Sequence, residues 1–126
     1  MTSDFAAAAA RLIAAYNAKD LLAMRELVSP DLDFAHFNRA FAFNNRTALF
    51  EVLDQFAATL VPDRRFLPAE RVSVCGNVVI REGYYTGTAQ VDLPGFAAAG
   101  GQIMLKFCSV MRFDSAGILV EWKDYG

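Results

Sequence analysis

One histidine, one late aspartate and a few tyrosines carry most of the chemistry this sequence can offer. His36 is the only imidazole in the chain. It lies in Asp31-Leu-Asp-Phe-Ala-His-Phe-Asn38, which alternates as a strand does, so Phe34, His36 and Asn38 share one face and Ala35 and Phe37 the other. Near the far end, Glu121-Trp-Lys-Asp-Tyr125 alternates too. Glu121 and Lys123 belong in water, so parity sends Trp122 and Asp124 inward. Burial raises a carboxylate's pKa and lowers that of a histidine, whereas mutual proximity favours the charged forms of both. Reference values of about 3.9 and about 6.5 leave the histidine able to exchange protons near neutrality, with the aspartate orienting it. Such a pair suits enolisation, aldol-type cyclisation or isomerisation of a carbonyl compound. Tyr85, or Tyr84 if a bulge shifts parity, would donate to the developing oxyanion, and Asn38 is placed to do the same. The same His36 and Asp124 also read as a structural pair tying the first strand to the last.

Helices must stand against those strands. Phe5, Ala8, Ala9, Leu12, Ile13 and Tyr16 recur on one helix face, with Thr2 or Ser3 to cap it and Asp4 in the first turn. Asn17 to Asp20 breaks the pattern, and Asp20 caps a short second helix through Val28 that Pro30 stops. Asn45 caps a third, whose stripe is Leu49, Val52, Leu53, Phe56, Ala57 and Leu60 before Pro62. From Arg65 the period becomes two. Phe66–Cys75 and Val78–Val91 read as strands joined at Gly76-Asn77, and Gln102–Phe113 and Leu119–Tyr125 as two more, with a small-residue loop from Pro94 to Gly101. That loop is either a lid over a cavity mouth or a long connection.

Helices gathered before a meander mean an α+β fold: a cone-shaped, strongly curved mixed or antiparallel sheet wrapped around N-terminal helices, with an internal cavity. Gly83 and Gly87 permit strong bending of a long strand. We expect Phe34, Tyr16, Phe56, Phe107 and Trp122 to line the cavity, and one domain spanning residues 1–126, since neither a repeat nor a linker interrupts the chain.

Composition narrows the partners. Hydrophobic residues make up 55% of 126, enough for a core, and the formal net charge is −2 without a basic block, which argues against nucleic acid and anionic membranes. The Ala6–Ala10 run lacks a positive n-region, and the longest apolar stretches fall short of a span, so a cytoplasmic location is expected. Cys75 and Cys108 sit in apolar runs far from other ligands and read as buried, reduced thiols, with metal and cofactor expected to be absent. Arg81 and Glu82 read as solvated strand charges. Phe37, Cys108, Val110 and Val120 face away from the cavity, an apolar convex surface that points to a homodimer.

The element order, the opening helix with Tyr16-Asn17-Ala-Lys19-Asp20, the Thr86-Gly87-Thr88 segment and the ending Gly117-Ile-Leu-Val-Glu-Trp-Lys-Asp124-Tyr125 resemble the nuclear transport factor 2-like (cystatin-like) superfamily. Within it the likeness is to the SnoaL-like polyketide cyclase and limonene-epoxide hydrolase branch, whose relatives include ketosteroid isomerase-like proteins. The closing Trp-Lys-Asp-Tyr looks like the Trp-Arg-Asp-Tyr ending of the epoxide hydrolases, in which the aspartate points into the pocket; Asp124 takes that place. The hydrolases' water-holding tyrosine and asparagine fall on Phe34 and His36 here, and their arginine and second aspartate on Gly83 and Tyr85, so the Asp–Arg–Asp set is absent.

The resemblance implies a cavity for a hydrophobic small molecule and frequent homodimers. It leaves open a cofactor-free isomerase or cyclase acting through His36 and Asp124, a non-catalytic ligand-binding or interaction module, and a water-activating hydrolase or hydratase using Asp124.

Overall fold

Asp4, not a residue before it, starts the first helix. In a computed structural model of the chain, which describes residues 4–37, 41–95 and 97–126 without the side chains of Phe41, Phe56 and Ala57, the Asp4 carboxylate accepts the Ala7 N–H at 3.0 Å. Thr2 and Ser3, the expected caps, lie outside the described residues. Helix α1 spans Phe5–Asn17 and buries Ala8, Ala9, Leu12, Ile13, Ala15 and Tyr16. It ends where Lys19 takes a left-handed φ of 59°. Asp20 then caps α2 (Leu21–Leu27) by accepting from Ala23.

The strand β1 begins earlier than alternation suggests, at Val28, and runs to His36 with Pro30 inside it. Proline cannot continue a helix but fits extended backbone where its missing N–H costs no ladder bond, so the second helix stops before Val28. Asn38, a candidate site residue, lies outside the described residues. A short β2 (Phe41–Phe43) pairs antiparallel with β1, and α3 (Arg46–Gln55), capped by Asn45, passes into a π-helical turn at Phe56–Leu60.

The expected strand Phe66–Cys75 is broken in two, β3 (Arg65–Phe66) and β4 (Arg71–Cys75), both antiparallel to β5. Pro68 has no N–H to give the ladder, so pairing lapses there while Leu67 and Glu70 still donate to β5 carbonyls at 2.9 and 2.8 Å. Strand β5 is Val78–Thr88, three residues shorter than expected; β6 (Gln102–Phe113) and β7 (Leu119–Tyr125) match expectation. The sheet order is β2-β1-β7-β6-β5-β3, with β4 also on β5.

All pairings are antiparallel except β1 with β7, which is parallel and sets Phe34 opposite Trp122 and His36 opposite Asp124. The class is therefore α+β with a mixed, open sheet. One face takes Leu32, Phe34, Val79, Met111, Phe113, Leu119 and Trp122 into a core with α1 and α2.

On the other face the charges pair more than expected. Lys123 reaches Asp33 at 2.7 Å, Glu121 lies 3.6 Å from Arg112, and Glu82 is gripped by both arms of Arg71. Arg81 departs from the solvated reading. Its register opposite Ser109 turns it to the inner face, half-buried, where desolvation lowers its pKa. The cysteines also depart from expectation: Cys75 is exposed and Cys108 half-buried, because both lie at outward register positions.

Candidate active site

Alternation along four strands builds the site. Phe34 and His36 of β1, Trp122 and Asp124 of β7, Leu105 and Phe107 of β6 and Tyr85 of β5 fall on the inner face. Together with Tyr16 of α1, Leu49, Val52 and Leu53 of α3, and Phe66 of β3, they enclose a partly open hollow of about 90 Å³. That is below the roughly 150 Å³ of an engineered cavity that takes benzene, so any occupant must be small or protrude through the opening.

Of the sequence candidates, Phe34, His36, Tyr16, Tyr85, Phe107, Trp122 and Asp124 are brought to this one hollow. Tyr84 takes the outward parity. The Phe56 side chain and Asn38 lie outside the described residues. At the Pro94–Gly101 loop, read as either a lid or a long connection, Leu93 bridges to Ala97 and Gly100 and Gly101 pair with Ala89.

The walls are aromatic. The Trp122 ring meets Phe34 edge-on at 5.5 Å and Tyr16 at 6.4 Å, and Phe66 lies 4.8 Å from Phe107. Asn17 fixes this corner. Its amide donates to the Phe66 carbonyl at 2.9 Å and its oxygen accepts the Phe66 N–H at 2.8 Å, so the end of α1 is clamped to β3 next to Tyr16.

Asp124 is the polar centre. It is 6% exposed, and its Oδ1 accepts from the Ser109 hydroxyl at 2.5 Å and the Trp122 indole N–H at 2.7 Å. Burial pushes its pKa up to about 7, against the opposing pull of those two donors. Both donors take the same oxygen, which leaves Oδ2 without a hydrogen bond from the described residues.

Burial puts the aspartate's own pKa near neutrality, the hydrogen bonds described at its carboxylate come from Ser109 and Trp122, and His36 lies opposite it in strand register. Ser109 was missed by sequence reasoning. The signal was present, since it is the one polar residue at the inward parity of β6 between Phe107 and Met111.

Across the hollow, Tyr16 donates to the Tyr85 hydroxyl at 3.0 Å. The Tyr85 proton then has no acceptor among the described residues. Burial holds both phenols above their ordinary value, Tyr16 furthest. Among the described residues no group of three or more His, Cys, Asp or Glu could hold a metal, and no helix is long and apolar enough to cross a membrane.

The sequence matches the model of the SnoaL-like domain over residues 9–122. No curated protein matches it. Among solved structures, a candidate polyketide cyclase from Pseudomonas putida KT2440 is 19% identical with a TM-score of 0.81, covering 100% of this chain and 92% of that one. IdmH, a candidate polyketide cyclase from Streptomyces antibioticus, is 20% identical with a TM-score of 0.79, covering 97% and 91%. An LEH-like epoxide hydrolase from M. tuberculosis is 16% identical with a TM-score of 0.75, covering 98% and 83%. At these identities the likeness establishes the fold. With the domain match across most of its length, the chain belongs to the SnoaL-like family of the nuclear transport factor 2-like superfamily.

Proposed function

We propose that this protein binds a hydrophobic carbonyl compound in the aromatic hollow and catalyses cofactor-free proton transfer on it, as an isomerase or aldol-type cyclase. One observation carries the reading: a buried carboxylate, Asp124, with a pKa of about 7 and one oxygen without a hydrogen bond from the described residues, at the wall of a mostly apolar hollow. A base poised near the working pH is what general acid–base catalysis asks for.

In the proposed step Asp124 Oδ2 takes a proton from the carbon next to the carbonyl. The C–H electron pair moves into the C–C bond as the carbonyl becomes an enolate, and Tyr85 donates its proton to that oxygen as a hydrogen bond. Where a C=C bond is conjugated with the enolate, Asp124 returns the proton at the far carbon, giving an isomer; alternatively the enolate carbon attacks a second carbonyl and Asp124 gives its proton to the resulting alkoxide, closing a ring. His36, beside Asp124 in register, is proposed to relay or hold the returned proton. The polyketide cyclase descriptions of two fold relatives support a carbonyl-rich substrate class. We also propose that the outer face around Phe37 and Tyr125, whose rings lie 5.0 Å apart and half-exposed, buries against a second copy.

Cyclohexanone in deuterium oxide provides the test. The wild-type protein is expected to exchange its α-protons for deuterium, followed by proton NMR, and Asp124→Asn to lose about 10²–10⁴-fold of that rate. Absence of exchange above buffer alone would overturn the reading. Oxygen-18 uptake from solvent water into a product would point instead to a hydratase.

A further inference from the structure

Behind the tyrosines lies a charge that this chemistry has not used. Arg64 is 1% exposed, although Asp63-Arg64-Arg65 after Pro62 looks like a solvated turn. Its guanidinium carbon stands 3.7 Å from the centre of the Tyr16 ring, and Nη1 donates to the Tyr16 carbonyl at 2.9 Å. Nε and Nη2 are buried without a hydrogen-bond partner, and among the described residues no carboxylate pairs with it. Asp63, next in the chain, is committed elsewhere: it accepts the Thr88 N–H at 2.7 Å and the Thr88 hydroxyl at 2.8 Å.

A buried cation with so little compensation is costly to keep, which makes it a candidate for a role in the site. Its path to the hollow is short. The guanidinium lies on the Tyr16 ring, Tyr16 donates to Tyr85, and the Tyr85 proton is free to reach a ligand. Gly87 makes the approach possible, because a Cβ there would overlap Val61 and come within 3.2 Å of the Arg64 Cα.

We infer that Arg64 is a positioning residue that acts through Tyr16 and Tyr85, so that this end of the hollow favours a ligand oxygen bearing negative charge: the oxygen of a phenol or of an enolisable ketone. The inference rests on the reading of Tyr85 as the oxyanion donor. Hydrogen bonds in a chain polarise one another, and a cation at the donor end strengthens the last donor. Consistent with this, Arg64 draws the pKa of both tyrosines downward, although burial outweighs it. The hollow is then polarised, with the proton acceptor Asp124 on one wall and the charge-stabilising pair on another.

The probe is 4-nitrophenol, whose phenolate is read directly by its visible absorbance. Binding is measured around neutral pH in an Asp124→Asn background, which removes the titrating carboxylate and leaves His36, Tyr16 and Tyr85 as the ionisable groups lining the hollow, with Arg64 behind them. The background protein is expected to prefer phenolate over phenol. Adding Arg64→Met, which keeps an apolar stem on the ring, should reduce that preference about tenfold or more. Arg64→Lys should retain it within about threefold, and Tyr85→Phe should abolish it.

A folded Arg64→Met protein with undiminished preference, while Tyr85→Phe loses it, overturns the role of Arg64 and leaves the Tyr85 reading standing. No phenolate preference in the background protein overturns both. If Arg64→Met does not fold, Arg64→Lys decides: retention supports the inference, and loss to the level of Tyr85→Phe overturns it.

Discussion

Asp124 ties the proposed reaction to stability through a single proton. Unfolded, its carboxylate titrates near the ordinary 3.8; folded, burial raises it to about 7. Between those values the folded state binds more protons than the unfolded one, so its contribution to stability declines as pH rises through that window and levels off above about 7. The whole decline is worth up to about 4 kcal/mol. Asp124→Asn keeps an oxygen for Ser109 and Trp122 without the charge. Urea denaturation at pH 8 should find it more stable than wild type, while at pH 4 the two converge. Equal stability at both values would show that the carboxylate does not carry the raised pKa. Ser109→Ala removes a donor that favours the ionised form, so the rising limb of the exchange rate should move to higher pH. An unmoved profile would show that the 2.5 Å bond does not tune the base. Side-chain direction at this scale was largely readable. Alternation sent Trp122 and Asp124 inward but left Tyr84 and Tyr85 open, and the unbroken register of β5 with β6 turns Tyr85 inward. Arg64 was not readable, because a charged triplet after a proline carries no periodicity and only the fold decides what covers it.

Elements were legible where their signals were local. The helix caps Asp20 and Asn45, the helical stripes, and strands β6 and β7 follow from spacing alone. Two of the failures sit at prolines. Pro30 was read as a stop signal and is a strand residue, and Pro68 breaks a strand that apolar alternation would have carried through. Both are choices between two permitted uses of one residue, made by tertiary pairing. The clamp from Asn17 to Phe66 was equally hidden, since its two bonds cross 49 residues. Asn17→Ala deletes both and leaves the Phe66 N–H and carbonyl short of partners, which should lower stability by about 1–3 kcal/mol. Thermal melting checks this, and a change below half that range would mean that water replaces the amide. Because the clamp adjoins Tyr16, 4-nitrophenol affinity should fall with it.

Across the whole molecule, the outer face leaves large apolar side chains in water. Phe37 is 53% exposed and Tyr125 45%. Sedimentation equilibrium at micromolar concentration is expected to find dimers, and Phe37→Glu to shift them to monomers without lowering the monomer's melting point. A wild-type monomer would refute the proposed self-association. A different consequence comes from the parallel pairing of β1 with β7. The strand latest in sequence lies between β1 and β6, so it is a keystone and not an edge. Everything translated before it can form helices and two separate ribbons, but neither ribbon can find the other until residues 119–125 arrive to join them. A chain cut after Phe113 should therefore remain a loosely collapsed ensemble, and the aromatic hollow should come into being only with the final cooperative step of folding.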